Sequence, residues 1–260
     1  MQLAGIREKQ EHLISAKNIT EDLNIWAKSV ASVMMSRECL CCGNALQAFE
    51  TDICTACLTD LPSSYTWAEE DSPADKVFWG RTRIEKVTSL FLYRGQYKKL
   101  LYSIKYKGNV RLALRLGRLL GERIAEQHID FIVPVPLHPA KKRKRGYNQS
   151  EIICKGIEAA LKKKMPLAAI ENRLLERKNF TLTQTQKDRA DRWENVRSAF
   201  GVNRKRAEEI GREFSRRGKI PSILICDDVL TTGATLDACA SLLHRELDCR
   251  ISIATLAYVP

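Results

Sequence analysis

Two adjacent carboxylates interrupt an apolar run in residues 222–239, SILICDDVLTTGATLDAC. The run leads directly into Asp227 and Asp228, whose like charges repel each other when nothing else is bound. Such a pair suits a ligand that donates hydrogen bonds from a diol, or a divalent cation that both carboxylates face. Because the acids follow a run of strand type, we expect them at the carboxyl end of a strand, where parallel sheets bind ligands.

The loop after the acids has the residue types of a phosphate site. Thr231, Thr232 and Thr235 supply hydroxyl groups, and Gly233 gives the backbone freedom to turn. The loop enters a predicted helix, whose first N–H groups and partial positive charge favour an anion. No Gly-Lys-Ser/Thr follows, which separates the loop from a nucleotide P-loop. A sugar phosphate with vicinal hydroxyls would satisfy the acids and the loop together.

Five of the nine cysteines lie in one short segment, ECLCCGNALQAFETDICTACLTDLP. Cys39 and Cys42 form one C-x-x-C pair, Cys54 and Cys57 form another, and four thiolates complete the tetrahedron that zinc prefers. Because a closed four-thiolate site has no open position for a substrate, we predict structural rather than catalytic zinc. Two disulfides or free thiols are the alternative. Cys41 lies too near Cys39 to belong to the set.

Composition limits the classes of protein and of partner. The chain has 260 residues, of which 44% are hydrophobic and 28% are charged, as in ordinary globular proteins. Its formal net charge of +12 indicates an anionic partner, either a phosphorylated small molecule or nucleic acid, with a solvated basic surface as the alternative. No apolar run is long enough for a transmembrane segment. The first residues, MQLAGIREKQEH, lack the apolar core of a signal peptide, so we predict a cytoplasmic protein.

Segments of strand type and helix type alternate along the second part of the chain. The strand candidates are VTSLFLYR, DFIVPVP, SILIC and RISIATLAYV, and helical patterns separate them. This alternation predicts an α/β fold with a parallel sheet and right-handed crossovers. The predicted organisation is a helical extension over residues 1–36, a double zinc-ribbon-like four-cysteine module over 37–61, a linker over 62–86 and the α/β domain over 87–260.

The motif ILICDDVLTTGAT resembles the phosphoribosyl pyrophosphate signature of type I phosphoribosyltransferases. Three further features narrow the resemblance to the ComF family: VPVPLHPAKKRKRGYNQSEIICKGI, RKNFTLTQTQKDRADRWENVRSAF and the four-cysteine module. ComF proteins have a phosphoribosyltransferase fold and are linked to DNA uptake in naturally competent bacteria. The resemblance covers roughly residues 37–260. Residues 203–219, rich in Arg and Lys, are predicted as a local helical insertion.

The resemblance implies roles for individual residues. Asp227 and Asp228 would bind the ribose hydroxyls, and Lys105 and Lys107 in SIKYKGN would face the diphosphate, although both could equally be surface lysines. The segment KKRKRGYNQ matches a flexible loop that closes over the substrate. The loop that binds the 5-phosphate would consist of Thr231, Thr232, Gly233, Ala234 and Thr235, and the residues of the flexible loop would be Arg145, Asn148 and Gln149. The implied catalytic residues are Asp227, Asp228, Lys105 and Arg145. The acceptor pocket would be shaped by Gln186, Arg192 and Asn195.

The implied reaction is displacement of pyrophosphate from the anomeric carbon by a nitrogen nucleophile. Mg²⁺ and basic side chains would neutralise the charge on the leaving diphosphate. Three hypotheses follow: a phosphoribosyltransferase, including one of nucleotide metabolism; a catalytically silent protein that senses phosphoribosyl pyrophosphate; and an accessory protein that binds single-stranded DNA or docks a competence helicase or another DNA-processing protein. We favour a phosphoribosyl-pyrophosphate-binding domain that acts in DNA uptake.

Overall fold

A computed structural model describes residues 37–162, 164–178 and 198–260. The predicted N-terminal helix over residues 1–36 and the acceptor-pocket candidates Gln186, Arg192 and Asn195 lie outside the described residues. The chain divides into two compact units, Met1–Asp60 and Leu61–Pro260. In the described part of the chain, no helix combines the length and the apolar character that crossing a membrane requires.

The described part of the first unit is built around its cysteines. A β-bridge joins Glu38 to Ala45, and one short helix, α1 (Thr55–Thr59), begins within the second C-x-x-C pair and includes Cys57. Cys54 caps this helix, because its sulfur accepts from the backbone N–H of Cys57. Gly43 has a φ of +81°, a left-handed conformation that suits the tight turn after the first pair.

The second unit contains a five-stranded sheet in the order β1-β7-β6-β2-β3, and its paired strands are all parallel. The α/β fold predicted from the alternation of strands and helices is therefore confirmed. In chain order its elements are α2 (Pro73–Lys76), β1 (Lys86–Leu92), a 3₁₀ turn (Gly95–Tyr97), α3 (Lys98–Tyr106), α4 (Val110–Ile124), β2 (Phe131–Pro134), α5 (Pro139–Arg145), α6 (Gln149–Leu161), β3 (Ala169–Ile170), β4 (Leu175–Arg177), β5 (Phe200–Val202), α7 (Arg204–Arg216), β6 (Ser222–Leu230), α8 (Ala234–Glu246) and β7 (Arg250–Tyr258).

Helices cover both faces of the sheet. Ile223 and Ile225 of β6 belong to one apolar core with α7, α8 and the small sheet β4–β5. Because successive side chains of a strand point to opposite faces, Leu224 and Cys226 point the other way, toward the layer formed by α4 and α6. Asn109 caps helix α4, because its side chain accepts a hydrogen bond from Leu112 N at 3.0 Å. The helix buries residues at three- and four-residue spacing.

Glycines allow α4 and α6 to approach closely. A Cβ atom added at Gly156 would lie 2.4 Å from the carbonyl oxygen of Leu114, and one at Gly117 would lie 2.4 Å from that of Ile153. Any larger side chain would therefore push the two backbones apart. This contact sets the position of α6, whose first residues reach the acids of β6.

Two segments outside the sheet contribute to the same unit. Residues 62–86, predicted as a linker, include α2 and place Ala74 and Phe78 in the apolar core, so this segment packs as part of the second unit. The basic stretch predicted as helical forms α7, which buries Ala207, Ile210 and Phe214 and leaves its charged residues outward.

Candidate functional site

The acid pair lies inside β6 rather than after it. The strand continues to Leu230, and Asp227 is paired in register with Thr255 of β7. The expectation that the strand ends at the acids is therefore wrong by a few residues, because β7 continues to pair with β6 beyond them. As neighbours in one strand, the two carboxylates point to opposite faces of the sheet, which separates their charges.

Asp228 is buried and both of its carboxylate oxygens are engaged. Its side chain is only 4% exposed; Lys105 Nζ lies 2.8 Å from Oδ1, and Gln149 Nε2 donates to Oδ2 at 2.8 Å. Lys105 comes from the last turn of α3 and Gln149 from the first turn of α6. Lys105, Gln149 and Asp228, which come from three separate motifs, thus meet at one carboxylate. The buried charge of Asp228 is paired with that of Lys105, because an unpaired charge would be costly to bury.

Asp227 forms no ion pair with a lysine of the described residues, and it is stabilised by hydrogen bonds instead. Its Oδ1 accepts from Ser150 Oγ at 3.0 Å and from the backbone N–H of Asp228 at 2.8 Å. Burial, followed by the charge of Asp228, raises the pKa of Asp227 to about 7, while those two hydrogen bonds and the nearby Lys105 act in the opposite direction. The repulsion within the pair is therefore reduced by a lysine on one acid and by the raised pKa of the other, which keeps its proton at pH values well below 7.

The start of α6 positions the residues that touch the acids. Asn148 caps the helix, since its Oδ1 accepts from Ser150 N at 3.1 Å, and its Nδ2 donates to the carbonyl of Val135 at 3.0 Å. Both functional groups of this amide are thus used within the protein. Asn148, predicted as a residue of the flexible loop, anchors the turn that presents Gln149 and Ser150.

A basic pocket of about 330 Å³ lies next to the acid pair. Arg145 stacks over Tyr106, with 5.2 Å between guanidinium and ring centroid, and its Nη1 donates to Gln149 Oε1 at 2.8 Å. The segment predicted as a flexible loop forms helix α5 and the start of α6. Lys107 is exposed at the end of α3 and does not line this pocket. The lining residues are Lys105, Tyr106, Gly108, Lys141, Lys144 and Arg145.

The predicted phosphate loop connects β6 to α8. Thr231 and Thr232 are exposed, Gly233 has a φ of +75°, and Ala234 begins the helix, so Thr235 lies in its first turn. No side chain in the described part of the protein caps this helix at Gly233, so its first N–H groups are suited to an anion.

Residues of the segment predicted as a linker pack against this loop. Arg81 Nη1 donates to the carbonyl of Thr232 at 2.9 Å. A Cβ at Gly233 would lie 2.7 Å from Val77 Cγ1 and 3.3 Å from the ring of Phe78, so only glycine fits the space as well as the backbone angle. Sequence reasoning missed Arg81, since no spacing rule connects it to a loop so distant along the chain.

Arg177 is a second residue that the sequence did not single out. It lies on β4, and its guanidinium stacks on Phe200 of β5, 4.4 Å from the ring centroid. Burial lowers the pKa of Arg177, while the nearby Cys239 and Asp227 act in the opposite direction. Among the described residues, none accepts a hydrogen bond from its buried Nε. Arg177 is thus near Asp227, whereas Lys105 contacts Asp228.

The four predicted cysteine ligands come together in the first unit. The sulfurs of Cys39, Cys42, Cys54 and Cys57 all lie within 4.8 Å of one another, with 3.9 Å between those of Cys42 and Cys54. Sulfurs about 2.3 Å from a tetrahedral zinc lie roughly 3.8 Å apart, so the spacing fits a metal ion. Burial raises the pKa of the Cys39 thiol, but backbone N–H groups, including that of Cys54, outweigh it and lower the value to about 6. The described residues therefore include a four-cysteine site that could hold a metal.

Comparison with known proteins finds relatives that align with much of the amino-acid sequence. No protein-family model matches the chain. The DNA utilization protein YhgH of Salmonella typhimurium is 26% identical over 215 residues, which cover 80% of this chain and 84% of that protein. Competence protein F of Haemophilus influenzae is 29% identical over 116 residues, 45% of this chain and 44% of the relative.

The relatives are thus named for competence and for DNA utilization, in agreement with the resemblance to the ComF family. The YhgH protein of Escherichia coli K12 is similar to this chain at 25% identity over the same shares, 80% and 84%. A glutamine phosphoribosylpyrophosphate amidotransferase from B. subtilis aligns with 55% of this chain and 26% of its own, at 16% identity and a TM-score of 0.34, a likeness too distant to carry an argument.

Proposed function

We propose that this protein is a member of the ComF family that binds phosphoribosyl pyrophosphate together with Mg²⁺ and acts in the handling of DNA. The observation that carries the ligand is the 2.8 Å contact between Lys105 and Asp228. This contact joins the carboxylates suited to a ribose diol with the basic pocket suited to a diphosphate. The DNA-related role is supported by the names of the relatives, Competence protein F and DNA utilization protein.

Each part of the proposed ligand has chemically matched residues. The hydroxyls of the ribose would donate to Asp227 and Asp228, as carboxylates are acceptors. The 5-phosphate would meet the first N–H groups of α8 after Gly233, and the diphosphate would lie against Lys105 and Arg145. With about 330 Å³, the basic pocket has room for a diphosphate group.

Either acid also suits Mg²⁺, which takes oxygen ligands and is commonly held by one or two carboxylates and the phosphates of a substrate. When bound, the ion would supply charge neutralisation of the diphosphate. The reaction we propose is pentosyl transfer, in which a nitrogen nucleophile bonds to the anomeric carbon and loses a proton as the bond to the diphosphate oxygen breaks. Lys105 and Arg145 would stabilise the charge that develops on the leaving group.

Calorimetry with Mg²⁺-phosphoribosyl pyrophosphate tests the ligand. Wild-type protein should release heat of binding, and Asp228→Asn should weaken binding at least tenfold, because a buried acceptor of the diol is lost. The matched control is Asp248→Asn, which changes an exposed acid just before β7. This acid lies at the amino ends of the strands, whereas Asp228 lies toward the carboxyl end of β6. Equal affinities for Asp228→Asn and the control would refute the site. Release of pyrophosphate across a panel of bases then tests the transfer.

Single-stranded DNA is a second candidate ligand, favoured by two exposed tyrosines beside the basic pocket. Tyr102 and Tyr106 lie 5.1 Å apart between ring centroids and are 54% and 62% exposed. Exposed aromatic rings next to Lys and Arg are the elements that hold single strands by stacking and charge. Tyr106→Ala should weaken binding of a fluorescent oligonucleotide by about one to three kcal/mol. Trp79→Ala, another exposed aromatic, is the control, and no binding even at low salt would refute this role.

The four-cysteine site is proposed to hold a structural zinc ion. Four cysteine thiolates are a typical ligand set for structural zinc, and a closed site serves folding rather than catalysis. Because zinc ligation by four cysteines requires reduced thiols, we propose a reducing compartment such as the cytoplasm. Metal analysis of protein purified without chelators should find about one zinc per chain, and well under one would reject the proposal.

A further inference from the structure

Lys105 belongs to both halves of the proposed site, which are the acid pair that would bind the ribose and the basic pocket that would bind the diphosphate. Lys105 Nζ lies 2.8 Å from Asp228 Oδ1, and the same residue lines the basic pocket. An ammonium group held by a buried carboxylate is less available to an anion, and a carboxylate held by an ammonium is less available to a diol. The two halves therefore compete for Lys105 as long as neither is occupied.

A second connection runs through Gln149. Its Nε2 donates to Asp228 Oδ2 at 2.8 Å, and its Oε1 accepts from Arg145 Nη1 at 2.8 Å. Arg145 also lines the basic pocket. Both oxygens of Asp228 are thus occupied by side chains that belong to the pocket or are bonded to a residue of it. A diol can replace them only if Lys105 and Gln149 move away.

We propose that Lys105 and Gln149 form a latch on Asp228 that an anion in the basic pocket releases. A diphosphate attracts Lys105 and Arg145 toward itself; Gln149 then loses its bond to Arg145 and can turn from Asp228. The freed carboxylate accepts the ribose hydroxyls. Gln149 acts here as a positioning residue, because it reaches the acid and the pocket without being charged itself. This inference rests on the proposed function and adds the order in which the two halves are filled.

The latch predicts positive coupling between two small probes, pyrophosphate and ribose 5-phosphate, at a fixed concentration of Mg²⁺. Saturating pyrophosphate should raise the affinity for ribose 5-phosphate about tenfold, and ribose 5-phosphate should raise the affinity for pyrophosphate by the same factor, because coupling free energies are reciprocal. Calorimetry measures both factors on the full-length protein.

Lys105→Met separates a latch from an ordinary binding residue. If Lys105 is a latch, the variant binds ribose 5-phosphate alone more tightly than wild type, and pyrophosphate no longer increases that affinity. Gln149→Met, which keeps the length of the side chain and removes both hydrogen bonds, should reduce the coupling factor. Lys162→Met is the matched control, as it removes a lysine paired with Glu158 at 3.7 Å at the far end of α6.

Two outcomes overturn the latch. In one, the wild type binds phosphoribosyl pyrophosphate but shows a coupling factor near one; in the other, Lys105→Met and the control show the same coupling as wild type. Both leave the proposed function intact. Failure of the wild type to bind phosphoribosyl pyrophosphate would reject the proposed function and the latch together. Thermal unfolding of each variant, with a melting temperature near that of wild type, shows that the comparison is between folded proteins.

Discussion

The pKa of Asp227 predicts how ligand binding depends on pH. This carboxyl has a pKa of about 7 in the folded protein, raised first by burial and then by the charge of Asp228. A ribose diol needs the ionised carboxylate as its acceptor. For a group that titrates near pH 7, the ionised fraction rises about tenfold between pH 6 and pH 8, so the affinity for Mg²⁺-phosphoribosyl pyrophosphate should rise by roughly tenfold over that range.

The assay is calorimetry at pH 6, 7 and 8 on wild type and on Asp227→Asn. The phosphates of the ligand titrate in the same range, so the informative quantity is the ratio of the two affinities at each pH. This ratio should change about tenfold in favour of the wild type as pH rises, because the amide has no proton to lose. A ratio that stays constant with pH would refute the reasoning, since it would show that Asp227 is ionised throughout.

Stability gives an independent check with a definite sign. The folded-state pKa of Asp227, about 7, is raised above its ordinary value of 3.8, so the folded protein binds more protons than the unfolded chain between these pH values. Stability from this group is therefore greatest below pH 4 and is lost as pH rises toward 7, by at most about 4 kcal/mol. At pH 8, Asp227→Asn should melt at a higher temperature than wild type, and a lower one would contradict the assignment.

Three further predictions concern the contact between α4 and α6, the acid pair and the cysteine site. Gly156→Ala should destabilise the protein by about 3 kcal/mol in denaturant titrations, because its Cβ would meet the carbonyl of Leu114 at 2.4 Å; Gly211→Ala, whose Cβ would meet only Leu247 Cδ1 at 3.3 Å, should be near neutral. Ser150→Ala should move the pH midpoint of ligand binding upward, since a hydrogen bond that lowers the pKa of Asp227 is lost. Cys54→Ser should reduce the zinc content and the melting temperature together, and an unchanged zinc content would contradict the four-thiolate assignment.

The features that the sequence predicted well are those that local spacing encodes. Alternating apolar runs and helical patterns determine which segments pair as parallel strands, and the observed sheet follows that pattern. The two C-x-x-C pairs likewise predicted the cluster, because each pair brings two sulfurs to one point and the cluster needs only that the pairs meet. The position of the acids on β6 followed from the same reasoning, with only the end of the strand misplaced.

The contacts that decide chemistry could not be predicted in the same way. Nothing in the spacing of SIKYKGN distinguishes Lys105, which reaches Asp228, from Lys107, which is exposed at the end of the helix. The difference arises because the two residues lie on different sides of α3. Asn148 and Gln149 are neighbours in one motif, yet one caps a helix and the other touches an acid. Side-chain direction at a helix start depends on cap geometry, which tertiary packing sets.

The neighbouring acids have different roles because they occupy one strand. Side chains that follow each other in a strand point to opposite faces, so no single cation placed on one face of β6 can pair equally with both. The structure pairs Asp228 with a lysine, whereas burial and the charge of Asp228 raise the pKa of Asp227 to about 7. It follows that Asp228→Asn should abolish the coupling between pyrophosphate and ribose 5-phosphate while keeping the pH dependence. Asp227→Asn should abolish that pH dependence and keep the coupling.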